Sequence, residues 1–212
     1  MSDLFSEAAW DDRYRSRDSL WSGNPNPYLV SETAGLTPGT ALEAGAGEGG
    51  DAIWLADRGW RVVAIDHSVV ALQRATAHAH DRGPAIADRI EWRHADVTSW
   101  QPGADRFDLV SVHYLHLPPA ARAAAFGGLA AAVAPGGTLL IVGHHPSDLQ
   151  TTMPRPPMPE LFYTGDDIAA LLDVGDWDIV TNDAPGRVLT DPDGNPVTIH
   201  DTVFRSWRRL SA

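Results

Sequence analysis

Short apolar runs rich in β-branched residues alternate along the chain with longer, alanine-rich amphipathic stretches, the mark of a parallel sheet sandwiched between helices. Thr40–Ala44 reads as a first strand, Asp51–Arg58 as a helix closed by Gly59, and Arg61–Ile65 as a second strand. Ser68–Asp81 reads as a helix with Ser68 placed to cap it. Ile90–His94, Phe107–Val112 and Thr138–Val142 follow as strands three to five, the last after a turn at Pro135-Gly136-Gly137. Between the fourth and fifth lies a helix over Ala120–Val133, interrupted by Gly127 and Gly128.

Past the fifth strand the pattern changes. Prolines at 146, 154, 156, 157 and 159 exclude helix and central strand from Pro146–Pro159, since each lacks an N–H donor, so a loop is expected there. Asp166 and Asp167 open one more helix, and the tail reads as two strands around Asp191-Pro192-Asp193-Gly194-Asn195-Pro196, a terminal antiparallel hairpin. The expected fold class is α/β, a doubly wound, mostly parallel seven-stranded sheet ending in that hairpin.

Composition narrows the function classes. A length of 212 residues, with 43% hydrophobic and 21% charged, fits one folded domain and lies outside the disordered regime. Sixteen basic against 28 acidic residues give a net charge of −12, which repels phosphate backbones and anionic headgroups; the short cluster Arg205, Arg208, Arg209 reads as a solvated strand end. The absence of cysteine excludes disulfides and thiolate chemistry. Met1–Asp12 lacks the basic flank and apolar run of about 7–15 residues of a secretory signal, and no later stretch approaches a span of about 20, so the expected location is cytoplasmic.

The decisive stretch is Leu42-Glu43-Ala44-Gly45-Ala46-Gly47-Glu48-Gly49-Gly50-Asp51, where a strand ends and a helix opens. Glycines at alternating positions allow φ > 0 and let a ligand approach the backbone, while N–H groups at the helix start favour an anionic group. Gly45-x-Gly47-x-x-Gly50 also satisfies the dinucleotide fingerprint, with Asp66 closing strand two where an acid would meet a ribose hydroxyl. The forty residues ahead of the first strand and the lack of a second domain weigh against a nicotinamide-dependent oxidoreductase. That enzyme and a non-catalytic cofactor-binding module stand as the alternatives.

Glu43-x-Gly45-x-Gly47-x-Gly49, Asp66, Ala95-Asp96 and Pro135-Gly136-Gly137 together resemble, in order, the motifs of class I S-adenosylmethionine-dependent methyltransferases across Ala41–Val142. The resemblance implies S-adenosyl-L-methionine as cofactor, with Asp66 on the ribose hydroxyls, Asp96 and the Val97 backbone on the adenine edge, and the Gly45–Gly49 loop on the methionine portion. Glu43, Ala44 and Asp51 beside the loop, His67 and Ser68 after Asp66, and Val112 and His113 at the end of strand four complete the implied contacts. Trp10-Asp11-Asp12-Arg13-Tyr14 and Trp21–Pro27 resemble the lid of tellurite-resistance and thiopurine S-methyltransferase-like proteins. That implies Trp10, Tyr14 and Trp21 folding over a sulfonium, which an aromatic face attracts by about 0.5–2 kcal/mol; a staple for the N-terminal helix is the other reading. The single domain of residues 1–212 then divides into a lid (1–39), a cofactor-binding core (40–145) and a substrate loop with hairpin (146–212).

In an open α/β sheet the ligand crevice lies beyond the carboxyl ends of the strands. There stand His113 and His116 after strand four and His144 and His145 after strand five. They could serve as a general base, orient a substrate, or ligate a metal; without a His-x-x-x-His pair or interleaved carboxylates no metal is expected. His145 or His144 is the first choice for the base and His113 the second, against the alternative that one of each pair caps a strand. A thiol or selenide acceptor would need no strong base. Met153, Met158, Phe162 and Tyr163 could wall off an apolar substrate or anchor their own loop. The expected partner is a small molecule, with neither nucleic acid nor membrane, and the acceptor heteroatom (S, O or N) stays open.

Overall fold

The computed structural model describes residues 5–104, 106–156 and 158–210; Met1–Leu4 and Pro157 of the expected loop lie outside them. Helices α1 (Glu7–Arg15) and α2 (Pro27–Thr33) precede the alternating core of β1 (Thr40–Ala44), α3 (Gly50–Asp57), β2 (Arg61–Asp66), α4 (Val69–Asp81), the short α5 (Pro84–Ala87), β3 (Ile90–His94), β4 (Phe107–His113), α6 (Pro119–Ala131) and β5 (Val133–His144). After two 3₁₀ turns, Pro146–Gln150 and Pro159–Leu161, come α7 (Gly165–Ala169), β6 (Trp177–Asp183), β7 (Gly186–Thr190) and β8 (Pro196–Arg208). The sheet runs β3-β2-β1-β4-β5-β8-β6, with β7 paired to β8. The first five strands are parallel, and β8 is antiparallel to β5, β6 and β7.

The period of two along each strand sorts side chains between two apolar layers, which makes the fold doubly wound. Leu42, Val110, Val112, Leu139 and Ile141 pack with Phe126 and Leu129 of α6 and Ile168 of α7. Ala41, Leu109, Leu140 and Val142 pack with Ala52, Ile53 and Leu55 of α3 and Leu29 of α2. The same alternation sends Glu43, Ser111 and His113 to the α3 side, where the strands end.

Three details depart from expectation. Among the described residues the sheet has eight strands rather than seven, because Pro185, without an N–H, divides the stretch before the hairpin into β6 and β7. Helix α6 runs unbroken through Gly127 and Gly128; burial of Phe126, Leu129 and Ala130 offsets the roughly 1 kcal/mol that each glycine costs. The turn at Pro135–Gly137 is an irregularity inside a longer β5, where the register with β4 shifts between Phe107 and Leu109. Among the described residues, no helix is long and apolar enough to cross a membrane.

Candidate active site

Beyond Ala44 the chain leaves the sheet in a loop fastened to β2: Gly45 N and Ala46 N both donate to the Ile65 carbonyl at 2.9 Å. Gly47 and Gly49 have φ of +53° and +87°, the left-handed region that glycine enters without steric cost. Asp66, at the end of β2, accepts from Gly47 N through Oδ2 and from Ser68 N through Oδ1, each at 2.8 Å. Burial raises its pKa. Ser68 is fully buried and caps α4 by accepting from Ala71 N. Ala44 and Val112 point into the core, which leaves their backbone alone to face a ligand.

The N-terminal segment lies on this loop. Trp21 Nε1 donates to the buried Tyr14 hydroxyl at 3.0 Å, and both groups rest on Gly47, where an added Cβ would meet them at 3.3 and 3.1 Å. Trp10 packs one ring further out, with its centroid 6.1 Å from Tyr14 and the Arg13 guanidinium over its face. Asp11 accepts the Ser68 hydroxyl, tying α1 to the start of α4. The clamp is Glu48, buried inside the glycine loop: it accepts from Leu20 N, Trp21 N and Ser19 Oγ and pairs with Arg74 at 2.8 Å. Arg74 in turn donates to the carbonyls of Tyr14 and Arg17. Burial would raise the Glu48 pKa, but the Arg74 and backbone hydrogen bonds outweigh it and hold the carboxylate below its usual range. Removing it in Glu48→Ala loses charge-assisted hydrogen bonds of about 1.5–3 kcal/mol each, so trypsin should cut after Arg17 at least about tenfold faster. An unchanged cutting rate would show that the segment is held elsewhere.

Under the loop sits a charge cluster. His113 Nδ1 lies 3.1 Å from Glu43 Oε1 and 2.9 Å from Asp51 Oδ2, while Glu43 accepts the Ser111 hydroxyl through its other oxygen in a short bond. Burial alone would lower the His113 pKa, but Glu43 and Asp51 outweigh it and push it up to about 10, so the ring is an imidazolium at neutral pH. The sequence shows no carboxylates interleaved with the histidines; the fold brings two of them from β1 and α3. The ligand atoms of the three residues lie within 4.8 Å of one another, a grouping that would take a metal only by releasing the imidazolium proton. Asp51 also accepts Asn26 N, which joins the cluster to the start of α2.

The other histidines separate by role. His145 caps the 3₁₀ turn after β5, its Nδ1 accepting Ser147 N. His144 Nδ1 lies 3.5 Å from Oδ1 of Asp201, its register partner on β8, and Arg187 of β7 donates to the second oxygen at 2.6 Å. Asp201 is fully buried; burial would raise its pKa, but the nearby His144 and the Arg187 hydrogen bond reverse this and keep it ionised. The His144 ring stacks on His116, centroids 5.0 Å apart, and lies 4.7 Å from Tyr114. Tyr114 has φ +52°, the one non-glycine residue in the left-handed region among the described residues, held there by its N–H on the Val142 carbonyl. Asp96 accepts Thr98 N and Oγ1 in a turn, Val97 packs on the core, and the His67 carbonyl lies 3.0 Å from His94 Nε2.

Residues 41–137 match the methyltransferase domain family. The chain is 28% identical to the 2-heptyl-1-hydroxyquinolin-4(1H)-one methyltransferase of Mycobacteroides abscessus over 70% of each chain. It is 30% identical to the Arabidopsis thaliana protein named Probable thiol methyltransferase 2 over 50% of this chain, spanning 46% of that protein. A solved structure from work on the conversion of a disulfide bond into a thioacetal group during echinomycin biosynthesis superposes with a TM-score of 0.75 at 25% identity, covering 97% of this chain and 93% of that one.

Within the matched residues and their flanks, sequence reasoning passed over Glu48, Arg74, Asp201 and Arg187. Glu48 stands between motif glycines and Arg74 on a helix face, so only the folded contacts show them as the clamp. A cleft of about 550 Å³ at the opposite end of the strands, beside Trp60, holds Asp108, which already accepts Thr40 N and Oγ1.

Proposed function

We propose that the protein transfers a methyl group from S-adenosylmethionine to a heteroatom of a small molecule. One observation carries the reading: Asp66 is bonded to a glycine loop whose Gly47, at positive φ, lies closely beneath Tyr14 and Trp21. These residues fit the cofactor. A carboxylate has about four acceptor positions, so Asp66 can hold ribose hydroxyls while keeping both backbone N–H groups. The bare loop takes the methionine portion, Asp96 and the Val97 backbone read the adenine edge, and the Tyr14–Trp21 pair covers a cation. Once bound, the cofactor supplies a methyl electrophile on sulfur. Asp201 fixes the His144 tautomer, and His144 takes the acceptor's proton when the acceptor is a hydroxyl or amine.

Strand order favours this over a dinucleotide enzyme, whose sheet continues past its fifth strand with a sixth parallel strand. Here antiparallel β8 holds that place. The net charge of −12 supports an acceptor other than nucleic acid. Calorimetric titration with S-adenosylmethionine, S-adenosylhomocysteine, NAD and NADP tests the reading. Binding of the adenosyl ligands alone is expected, and preference for a dinucleotide would overturn it. In Asp66→Ala the adenosyl ligands should bind about 10- to 100-fold more weakly, the worth of hydrogen bonds to a charged group. Unchanged affinity would remove Asp66 from the ribose site.

A further inference from the structure

At the carboxyl ends of β4 and β5, five rings form a cluster that the cofactor loop does not use. His116 and His144 lie nearly parallel, with Tyr114 against His144, and Phe162 and Tyr163 lie 5.9 and 6.4 Å from His116. Three buried polar atoms here, His116 Nε2, His144 Nδ1 and the Tyr163 hydroxyl, have no hydrogen-bond partner among the described residues; of these, His144 Nδ1 faces Asp201 at 3.5 Å. Burial and the neighbouring His144 push the His116 pKa down to about 4, so its ring is neutral, and a hydrogen bond to the Tyr114 backbone engages its other nitrogen. Nε2 is then a pure acceptor. The Tyr163 hydroxyl is seated against Gly143, where a side chain would collide with it.

Unpaired buried polar atoms are rare in folded proteins and call for a cause. The cations around the cluster are already engaged. Arg155 is bonded to buried Asp148, Arg122 to the carbonyls of Glu160 and Leu117, and Arg187 to Asp201. The surroundings therefore suit a flat, uncharged ring rather than an anion. We propose that this cluster binds an uncharged planar aromatic methyl acceptor, which packs among these rings, donates a hydrogen bond to His116 Nε2 and accepts one from the Tyr163 hydroxyl. Its role as an acceptor site rests on the methyl-transfer reading above; its preference for such a ring does not.

The test is calorimetric titration of the full chain, with and without S-adenosylhomocysteine, using three probes. 2-Quinolone is planar and uncharged, with an N–H beside a carbonyl; 2-naphthoate is a comparable fused ring carrying an anion; cyclohexanol has no aromatic ring. 2-Quinolone should bind about tenfold or more tighter than either control. His116→Phe and Tyr163→Phe keep a ring and delete only the polar atom. Each should weaken 2-quinolone about tenfold and leave S-adenosylhomocysteine binding unchanged. Each should also raise Tm by about 2–4 °C, because an unpaired buried atom has been removed; a purely structural role would lower it. Equal binding of the three probes, or variants that bind 2-quinolone like the parent, would overturn the proposal. Failure of S-adenosylhomocysteine to bind would overturn the methyl-transfer reading and the acceptor role, while the 2-quinolone arm still decides the aromatic site.

Discussion

Replacing His113 with leucine will destabilise the fold by about 3–5 kcal/mol, among the larger losses a single substitution produces. The cause is what the imidazolium leaves behind, since Glu43 is almost wholly buried and Asp51 half-buried, and each uses His113 as its cationic partner. A Glu43→Gln, His113→Leu double variant should recover part of the loss, because the buried charge leaves with its partner. The pH dependence has a definite sign. The folded pKa of about 10 stands above the unfolded value of about 6.5, so the contribution is fully present below pH 6.5 and is lost as pH rises through 10. The window is unusually clean. The chain contains neither lysine nor cysteine, and burial raises the pKa of all four tyrosines, Tyr14, Tyr28, Tyr114 and Tyr163. Denaturant unfolding at pH 7, 8.5 and 10 should therefore show an alkaline decline in the parent. In His113→Leu that decline should move to lower pH, where Glu43 gives up the proton that burial makes it keep. Parallel declines in the two proteins would place the titrating group elsewhere.

Such a cluster also marks the boundary of what the chain discloses before it folds. Strand and helix positions were legible because they depend on local periodicity: β1 and β3 have their expected ends, and Ser68 is the cap its sequence position suggests. The glycine loop and Asp66 were legible because they stand at fixed offsets from β1 and β2. Residues that act by long-range pairing were not. Asp201 reaches His144 only through antiparallel registry of β8 with β5, and Arg187 reaches Asp201 only because Pro185 ends β6 and a separate strand follows. The adjacent His144 and His145 look interchangeable in sequence. One faces a carboxylate and the other caps a turn, because successive residues leave a strand on opposite sides. The proton on His113 was hidden for the same reason: two carboxylates from other elements reverse the effect of burial.

His144→Gln should lower kcat for a phenolic acceptor by about 10²- to 10⁴-fold, the usual worth of a positioned general base, with S-adenosylhomocysteine affinity unchanged. The argument is geometric before it is electrostatic. Asp201 on one side of the partly exposed His144 imidazole supplies the orienter of a base-and-orienter pair, and Arg187 keeps that carboxylate ionised. Asp201→Asn should then share the phenotype, since an amide can hold the wrong tautomer as readily as the right one. The acceptor atom supplies the control. A thiophenol is already ionised near neutral pH and needs alignment rather than a base, so its methylation should fall by less than about tenfold in the same variant. An equal loss on phenol and thiophenol would mean that His144 positions the acceptor without taking its proton, and full retention of rate on both would remove it from the reaction.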